Sequence, residues 1–302
     1  MTTVAVIIPT KDRETDLRRA LAGLWGQVVL PDEVVVIDDA SIPGVDADVF
    51  ADAPAGVATR LVRNDPGLGA NASRNRGVSA ATSDYVAFLD DDDEFAPDKI
   101  AELKRAALSG APDVIHHGAV VTYDNEDVSY PTRVNAGVTL AMLLTGNKVG
   151  GMSLACVRRG LIAELGGLDE SLPALQDWDL WLRAAKSGAS FRAIDRPLTT
   201  YHFVTGKAAI SKSLSRLKEA LALIDAKFAG DLAAMPAEAR LARARTDVTR
   251  HAHRLAMNGA RLAAAGAYLA GGLRTRSPKL IAAAPVALLG IRWLALLRRI
   301  SG

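Results

Sequence analysis

The apolar run Tyr-Val-Ala-Phe-Leu over residues 85–89 ends on four consecutive aspartates, Asp90, Asp91, Asp92 and Asp93. A strand buried in an apolar core cannot continue through them, because an ionised carboxylate left unpaired in a low-dielectric interior is costly. The strand must stop there, and the carboxylates must meet solvent or a cation. The same arrangement occurs twice more. Residues 4–8 lead into Pro9, Thr10, Lys11 and Asp12, and residues 33–37 lead into Asp38 and Asp39. Short apolar runs with polar ends, separated by segments of helical spacing, predict an α/β fold. In an open α/β sheet, ligands bind at the carboxyl ends of the strands, so the three acidic ends are expected to line one crevice.

Between these runs, Leu17, Leu21, Leu24 and Trp25 recur at helical spacing. A third strand is expected over 60–63, and a helix over 70–81 behind the turn Gly67-Leu-Gly69. Pro97 suits a first helical position, continued by Ile100, Leu103 and Ala107. Further strands are expected over 114–123, 153–157, 190–194 and 198–203, and helices over 138–144 and 176–186, the second closed by Gly188. From about residue 211 the composition shifts to Ala, Leu and Arg. Leu214, Leu217, Leu221, Ile224 and Phe228 mark one amphipathic helix, and Met235-Pro236 opens another. Residues 253–273 read as a helical hairpin, and 279–300 as one last apolar helix containing Pro285. The expected division is a catalytic unit over 1–205 and a helical region over 206–302.

Charge follows the same division. The overall net charge is +2, yet residues through His202 carry 19 Lys and Arg against 29 Asp and Glu, and the rest carry 17 against 5. The acidic part argues against nucleic-acid binding. The basic tail is expected either to pack as helices on the catalytic unit or a second subunit, or to lie on an anionic membrane surface. A single cysteine, Cys156, excludes an internal disulfide framework and suggests a reducing compartment. The N-terminal apolar run is of strand length and ends at Pro9, so neither signal peptide nor anchor is expected. A cytoplasmic location follows, with peripheral contact at the inner membrane face as an extension of it.

Hard carboxylate oxygens at the mouth of a crevice suit Mg²⁺ or Mn²⁺, which is typically held by one or two carboxylates plus substrate phosphates. One aspartate at a helix start needs no metal, since the macrodipole favours it by ~0.5 kcal/mol. Four in a row are harder to explain that way. In 63–77, glycines permit close approach to a ligand, and Arg74 or Arg76 could meet phosphate oxygens. In Gln176-Asp-Trp-Asp-Leu-Trp181, Asp177 falls on the same helical side as Leu180 and Trp181, whereas Asp179 is expected in solvent.

Together these segments resemble a family 2 glycosyltransferase of the GT-A fold, a Rossmann-like, mostly parallel sheet flanked by helices. The matching residues are Val-Ile-Ile-Pro-Thr-Lys-Asp-Arg13, Val-Val-Val-Ile-Asp-Asp-Ala-Ser41, Gly69-Ala-Asn-Ala-Ser-Arg-Asn-Arg-Gly77 and Tyr85-Val-Ala-Phe-Leu-Asp-Asp-Asp-Asp93, followed by Arg158-Arg, Gly166-Gly-Leu-Asp-Glu170 and the segment around Asp177. The resemblance implies that Asp39 hydrogen-bonds the base of a nucleotide-sugar donor, with Pro9 and Thr10 flanking it. Arg74 would approach the nucleotide. Asp91 and Asp92 match a DXD-type region touching ribose and metal, with Asp92 as metal ligand and Asp90 and Asp93 beside it. Asp177 matches the catalytic base.

Trp178 and Gly151 are expected to contact the acceptor, Trp178 by stacking on a sugar, and residues 114–151 to shape the pocket. Three positions depart from the family pattern: Lys11 where an aromatic often stacks on the base, Gln176 in place of a glutamate, and His202 directly after Tyr201. The implied reaction is inverting transfer from a UDP- or dTDP-linked sugar to a glycan, lipid-linked or small-molecule acceptor. Two other readings stand beside it. A sugar-phosphate nucleotidylyltransferase would normally carry a glycine-rich loop where Pro9-Thr-Lys-Asp-Arg13 stands. A non-catalytic nucleotide-sugar-binding protein would need the base lost or buried.

Overall fold

The computed structural model describes residues 2–206 and 213–301. The chain alternates through β1 (Val4–Thr10), α1 (Glu14–Trp25), β2 (Glu33–Asp38), β3 (Ala58–Arg63), α2 (Ala70–Ala80) and β4 (Tyr85–Phe88). It continues through β5 (Glu94–Phe95), α3 (Lys99–Leu108), β6 (Val114–Tyr123), β7 (Val128–Pro131), α4 (Leu140–Leu144), β8 (Ala155–Arg158), α5 (Arg159–Glu164), α6 (Gln176–Lys186) and β9 (Phe191–Phe203). Six helices follow: α7 (Leu214–Lys227), α8 (Ala229–Ala233), α9 (Ala237–Met257), α10 (Arg261–Arg274), α11 (Pro278–Leu289) and α12 (Ile291–Ser301).

The sheet runs β3-β2-β1-β4-β8-β6-β9-β5, with β7 paired to β6 off this path. The first four strands are parallel, and β8 is reversed against both its neighbours. The parallel register aligns their carboxyl ends, because Thr10 pairs with Asp38 and Ile7 with Phe88. That alignment delivers Thr10, Asp39 and Asp90 to one edge. Every residue of β1 and β2 is buried, as expected for strands covered on both faces. Side chains alternate between the faces. Ile7, Val35, Ile37 and Phe88 join Trp178 and Trp181 on one side. Val6, Ile8, Val34 and Val36 join Leu17, Leu21, Ile100 and Leu103 on the other.

The C-terminal helices share these cores. Ala220 and Ile224 of α7, and Phe228 just after it, pack into the cluster around Trp178 and Trp181. Ala252 of α9 and Tyr268 of α10 form a third cluster with Tyr123 and Tyr130 of the β6–β7 hairpin. Among the described residues no helix is long and apolar enough to cross a membrane.

Several elements differ from the sequence reading. Pro97 does not begin a helix: residues 94–95 form β5 against β9, and α3 starts at Lys99. The strand β7 was not anticipated, and the two runs at 190–203 form one strand. The first arm of the hairpin expected over 253–273 is the end of the long α9, turned by Gly259 at φ 77°. The apolar run at 279–300 is two helices. Pro285 is accommodated inside α11, and Gly290, at φ 108°, makes the break.

One close approach fixes α2 on the sheet. A Cβ added to Gly77 would overlap the Cγ2 of Ile7 in β1 and lie 3.4 Å from Ile37 Cγ1. Gly77→Ala should therefore destabilise the protein by about 1–3 kcal/mol through overpacking. Urea denaturation would read this as a lower midpoint at unchanged slope.

Candidate active site

The four aspartates after β4 alternate in direction. Asp91 and Asp93 turn inward, whereas the side chains of Asp90 and Asp92 are 35% and 48% exposed. Each meets a specific partner. Thr10 Oγ1 donates to Asp91 Oδ2 at 2.8 Å. Arg13, just before α1, donates through Nη1 to Asp91 Oδ1 at 3.1 Å and to Asp92 Oδ2 at 2.9 Å. Arg74, buried on α2, pairs with Asp90. Beneath Asp93 lies the fully buried Lys99, whose ammonium donates to Ser153 O at 2.7 Å and Thr199 Oγ1 at 3.0 Å and sits over the Phe95 ring. Burial pulls Lys99 well below its ordinary pKa. Burial pushes the Asp91 carboxyl up to about 6, although Thr10 and Arg13 act in the opposite direction. Burial and the charge of Asp90 push Asp93 up as well.

Asp38 and Asp39 are also engaged. Asp38 accepts from the backbone of Ser41 and Val45 and pairs with Arg63. Asp39 Oδ1 accepts from Asn64 Nδ2 at 2.8 Å, Leu68 N at 2.7 Å and Ser73 Oγ at 3.2 Å, and Oδ2 accepts from Gly69 N at 2.9 Å. Burial opposes ionisation of Asp39, but these donors outweigh it and hold its carboxyl below the usual range. Asp39 thereby fixes the turn before α2, where Gly69 adopts φ 90°. Lys11 reaches the same turn: a Cβ on Gly67 would fall 3.0 Å from Lys11 Nζ and 3.4 Å from Asp39 Oδ2. Pro9 is buried in β1 beside Ile37.

Asp177 sits in the first turn of α6, after Leu175 at φ 60°. It is half-buried, and its Oδ2 accepts from Asn147 Nδ2 at 2.9 Å. Asn147 is itself fixed, because its Oδ1 accepts from Val149 N and Gly150 N. Burial raises the Asp177 pKa, against the Trp178 N–H and the charge of Arg74. Gly151 adjoins it: a Cβ there would fall 2.5 Å from the Tyr201 hydroxyl and 3.9 Å from Asp177 Oδ2. The Tyr201 hydroxyl is pushed well up by burial and by the charges of Asp93, Asp90 and Asp177. Arg74 and Tyr201 thus lie within electrostatic reach of both the strand-end aspartates and Asp177, so the two acidic groups are close neighbours in the fold.

Two side chains behave otherwise than expected. Trp178 does not face an acceptor. It has no exposed surface, its indole N–H donates to Leu143 O at 2.8 Å, and the Arg243 and Arg250 guanidinium carbons lie 5.1 and 4.7 Å from its ring centroid. Stacking on a sugar is thereby blocked. Asp179 is fully buried rather than solvated, paired with Arg183 at 2.8 Å and Lys227 at 2.5 Å. His202 bonds Asp124 at 3.0 Å. Sequence reasoning assigned no role to Arg13, Lys99, Asn147 or Tyr201. A demand for cations around four aspartates could have flagged Arg13, whereas nothing in the sequence marks Asn147 as the partner of Asp177.

Among the described residues no three His, Cys, Asp or Glu side chains form a ready metal cage. The donor set nevertheless fits a hard cation that takes its remaining ligands from phosphate oxygens and water. Asp90 and Asp92 turn partly outward, and neither is consumed by its single arginine contact. Arg74 fits an anion beside them: at 4% exposure, its Nε and Nη1 make no hydrogen bond among the described residues. Buried donors of this kind are rare without a partner.

Residues 5–163 match the family described as Glycosyl transferase family 2. An uncharacterized glycosyltransferase of Haemophilus influenzae is 29% identical over 224 residues, covering 72% of this chain and 74% of its own. The amylovoran biosynthesis glycosyltransferase AmsB of Erwinia amylovora is 31% identical over 216 residues, covering 67% of this chain and 70% of its own. Among solved structures, the 1–349 portion of S. aureus TarS superposes with a TM-score of 0.59 at 18% identity, covering 95% of this chain and 88% of that one. The mannosyltransferase PcManGT of Pyrobaculum calidifontis, solved with GDP-Man and Mn²⁺, gives 0.57 at 20% identity, covering 95% and 86%. These likenesses show the shared GT-A fold.

The raised pKa of Asp91 has a consequence for stability. The native state holds this proton to about pH 6, whereas the unfolded chain releases it near 3.8. The contribution at this position is therefore fully present below the unfolded value and is lost as pH rises to about 6, a change of roughly 3 kcal/mol. In chelator, Asp91→Asn should gain stability relative to the parent between about pH 4 and 7 by urea denaturation. A difference independent of pH would contradict this electrostatic account.

Proposed function

The chain belongs to glycosyl transferase family 2 and is a glycosyltransferase, and from that premise we propose inverting transfer of a sugar from a nucleotide diphosphate donor, with Asp177 as general base. The observation that carries this reading is the buried Arg74, paired with Asp90, exerting its charge on Asp177, and keeping two N–H groups without a partner among the described residues. A diphosphate seated there would satisfy those donors. Structural neighbours solved with nucleotide sugars, TarS with UDP-GlcNAc and PcManGT with GDP-Man, support a donor of this class. UDP- or dTDP-linked sugars remain the first candidates, with Thr10 and Asp39 at the nucleoside end. Among the described residues Asp39 Oδ2 accepts only from Gly69, so it has capacity to meet a base.

In the proposed reaction, Asp177 accepts the proton of an acceptor hydroxyl as that oxygen bonds to the anomeric carbon. The bond from that carbon to the diphosphate breaks on the opposite face, and Arg74 meets the charge that develops on the leaving group. Asn147 holds the Asp177 carboxylate in one orientation, and burial raises its basicity. Asp90 and Asp92 would hold Mg²⁺ or Mn²⁺, which when bound supplies further charge stabilisation to the diphosphate. Gly151 lines the cleft beside Asp177, where a side chain would displace the Tyr201 hydroxyl. Asp177→Asn should lower release of nucleoside diphosphate from a cognate nucleotide sugar by ~10²–10⁴-fold. Calorimetry should find nucleotide affinity within about twofold of the parent, since the amide keeps the shape of the site. Turnover close to that of the parent would refute the assignment.

The division near residue 205 is proposed as one of role, not of packing, because α7 and α9 share cores with the sheet. The proposed role of the last helices is contact with an anionic membrane surface, where a lipid-linked acceptor would lie. Residues 248–302 contain nine Lys and Arg and no acidic residue. The same region exposes Leu262, Leu269, Leu273, Leu288, Leu289, Trp293 and Leu297. Basic groups beside exposed apolar side chains suit the interface of a bilayer. The protein should sediment with vesicles containing anionic lipid and be released by salt. Equal recovery with neutral and anionic vesicles would end this reading.

A further inference from the structure

We infer that the hydroxyl of Tyr201 donates a hydrogen bond to the sugar being transferred and holds it between the diphosphate and Asp177. The inference rests on the reading of Asp177 as the base and adds a side chain that selects the sugar itself.

Three pieces of chain converge on this hydroxyl. The register of β9 on β5 sets Thr199 opposite Phe95 and Thr200 opposite Glu94. Tyr201 is thereby carried to the end of β5 at which Asp93 stands. Thr199 Oγ1 also donates to Ser153 O at 2.9 Å, and Asp90 N donates to Ser153 Oγ at 3.0 Å. Ser153 therefore ties β9 on one side to the aspartates on the other. Two residues earlier, the place a Cβ of residue 151 would take is 2.5 Å from the Tyr201 oxygen and 3.9 Å from Asp177 Oδ2. The phenol and the carboxylate of the base thus meet around one point. A glycine at 151 leaves the oxygen where it is, and any side chain there would push it aside.

The proton of this hydroxyl is open to a ligand. The backbone N–H of Gly151 faces the oxygen, whereas Asp93, Asp90 and Asp177 act on it through charge. Among the described residues no acceptor takes the O–H. Burial, reinforced by those three charges, keeps the phenol un-ionised, so it can donate without competing with Asp177 for the acceptor's proton. Tyr201 is half-buried, and its ring packs on Phe203 at a centroid distance of 6.1 Å.

Inversion fixes what lies at this place. In the proposed reaction the acceptor oxygen arrives from the Asp177 side, and the diphosphate leaves toward Arg74 and Asp90. The sugar ring has to span the interval, and a group near both ends lies alongside it. Arg74 is also near both, but its guanidinium is paired with Asp90. A cation in the place of Tyr201 would pair with the carboxylates around it. A neutral O–H stays available to the hydroxyl groups of a sugar, which accept as well as donate.

The test compares free and sugar-bearing nucleotides on the full chain with Mg²⁺, by calorimetry. UDP, dTDP and GDP are set against UDP-glucose, UDP-N-acetylglucosamine, dTDP-glucose and GDP-mannose. Tyr201→Phe keeps the ring on Phe203 and removes the hydroxyl alone. It should leave affinity for the nucleoside diphosphate within about twofold of the parent, and lower affinity for a nucleotide sugar by about three- to tenfold, the strength of one neutral hydrogen bond. A tyrosine that only packs would weaken free and sugar-bearing nucleotides alike. That result, or no change in either, would overturn the inference. Thermal melts check folding. If Tyr201→Phe does not melt cooperatively, Gly151→Ala gives the same comparison, because it displaces the hydroxyl and spares the ring. Failure of every nucleoside diphosphate to bind the parent would bring down the donor site, and parent-like turnover in Asp177→Asn would bring down the base. Each is read separately from the tyrosine, and this inference falls with either.

Discussion

The repulsion among Asp90, Asp91, Asp92 and Asp93 is the constraint around which the molecule is arranged. Four carboxylates at the end of one strand stay together only if cations arrive from elsewhere in the chain. Arg13 comes from the loop after β1, Arg74 from α2, and Lys99 from α3 beneath. Arg13 follows β1, Arg74 lies on the helix after β3 and Lys99 on the helix after β5, so three separate connections of the sheet converge on the cluster. Burial, with smaller contributions from the charges of Asp92 and Asp90, keeps Asp91 raised despite Thr10 and Arg13.

A second layer of control reaches the cleft through Asn147. Its side-chain oxygen is held by two backbone N–H groups of its own loop, and its amide nitrogen holds Asp177. That loop is in turn braced by Arg243 and Thr246 on α9. The orientation of Asp177 therefore depends on a helix roughly seventy residues later in the chain.

The sequence carried the architecture where the pattern was long and periodic. The all-buried strands and the helices α1, α2, α6 and α7 stand close to where the apolar spacing puts them. It failed on β5 and β7, which are too short to show a period and exist because β9 and β6 offer them an edge. The break at Gly290 was hidden because Pro285 looked like the better breaker. At the site, aspartates were legible because residue type and position at a strand end already state a chemistry. Their partners were not, since pairing is decided in three dimensions. Asp179 read as solvated because nothing local hints at Lys227, and Trp178 read as a sugar platform because nothing local hints at Arg243 and Arg250. The match to a glycosyltransferase family also sets aside the nucleotidylyltransferase and the non-catalytic alternatives.

Ala220 and Ile224 of α7, with Phe228 at its end, lie in the same apolar cluster as Trp178 and Trp181. The basic tail and the acidic body therefore share one apolar core, and neither could be exchanged for a differently shaped counterpart without repacking that cluster.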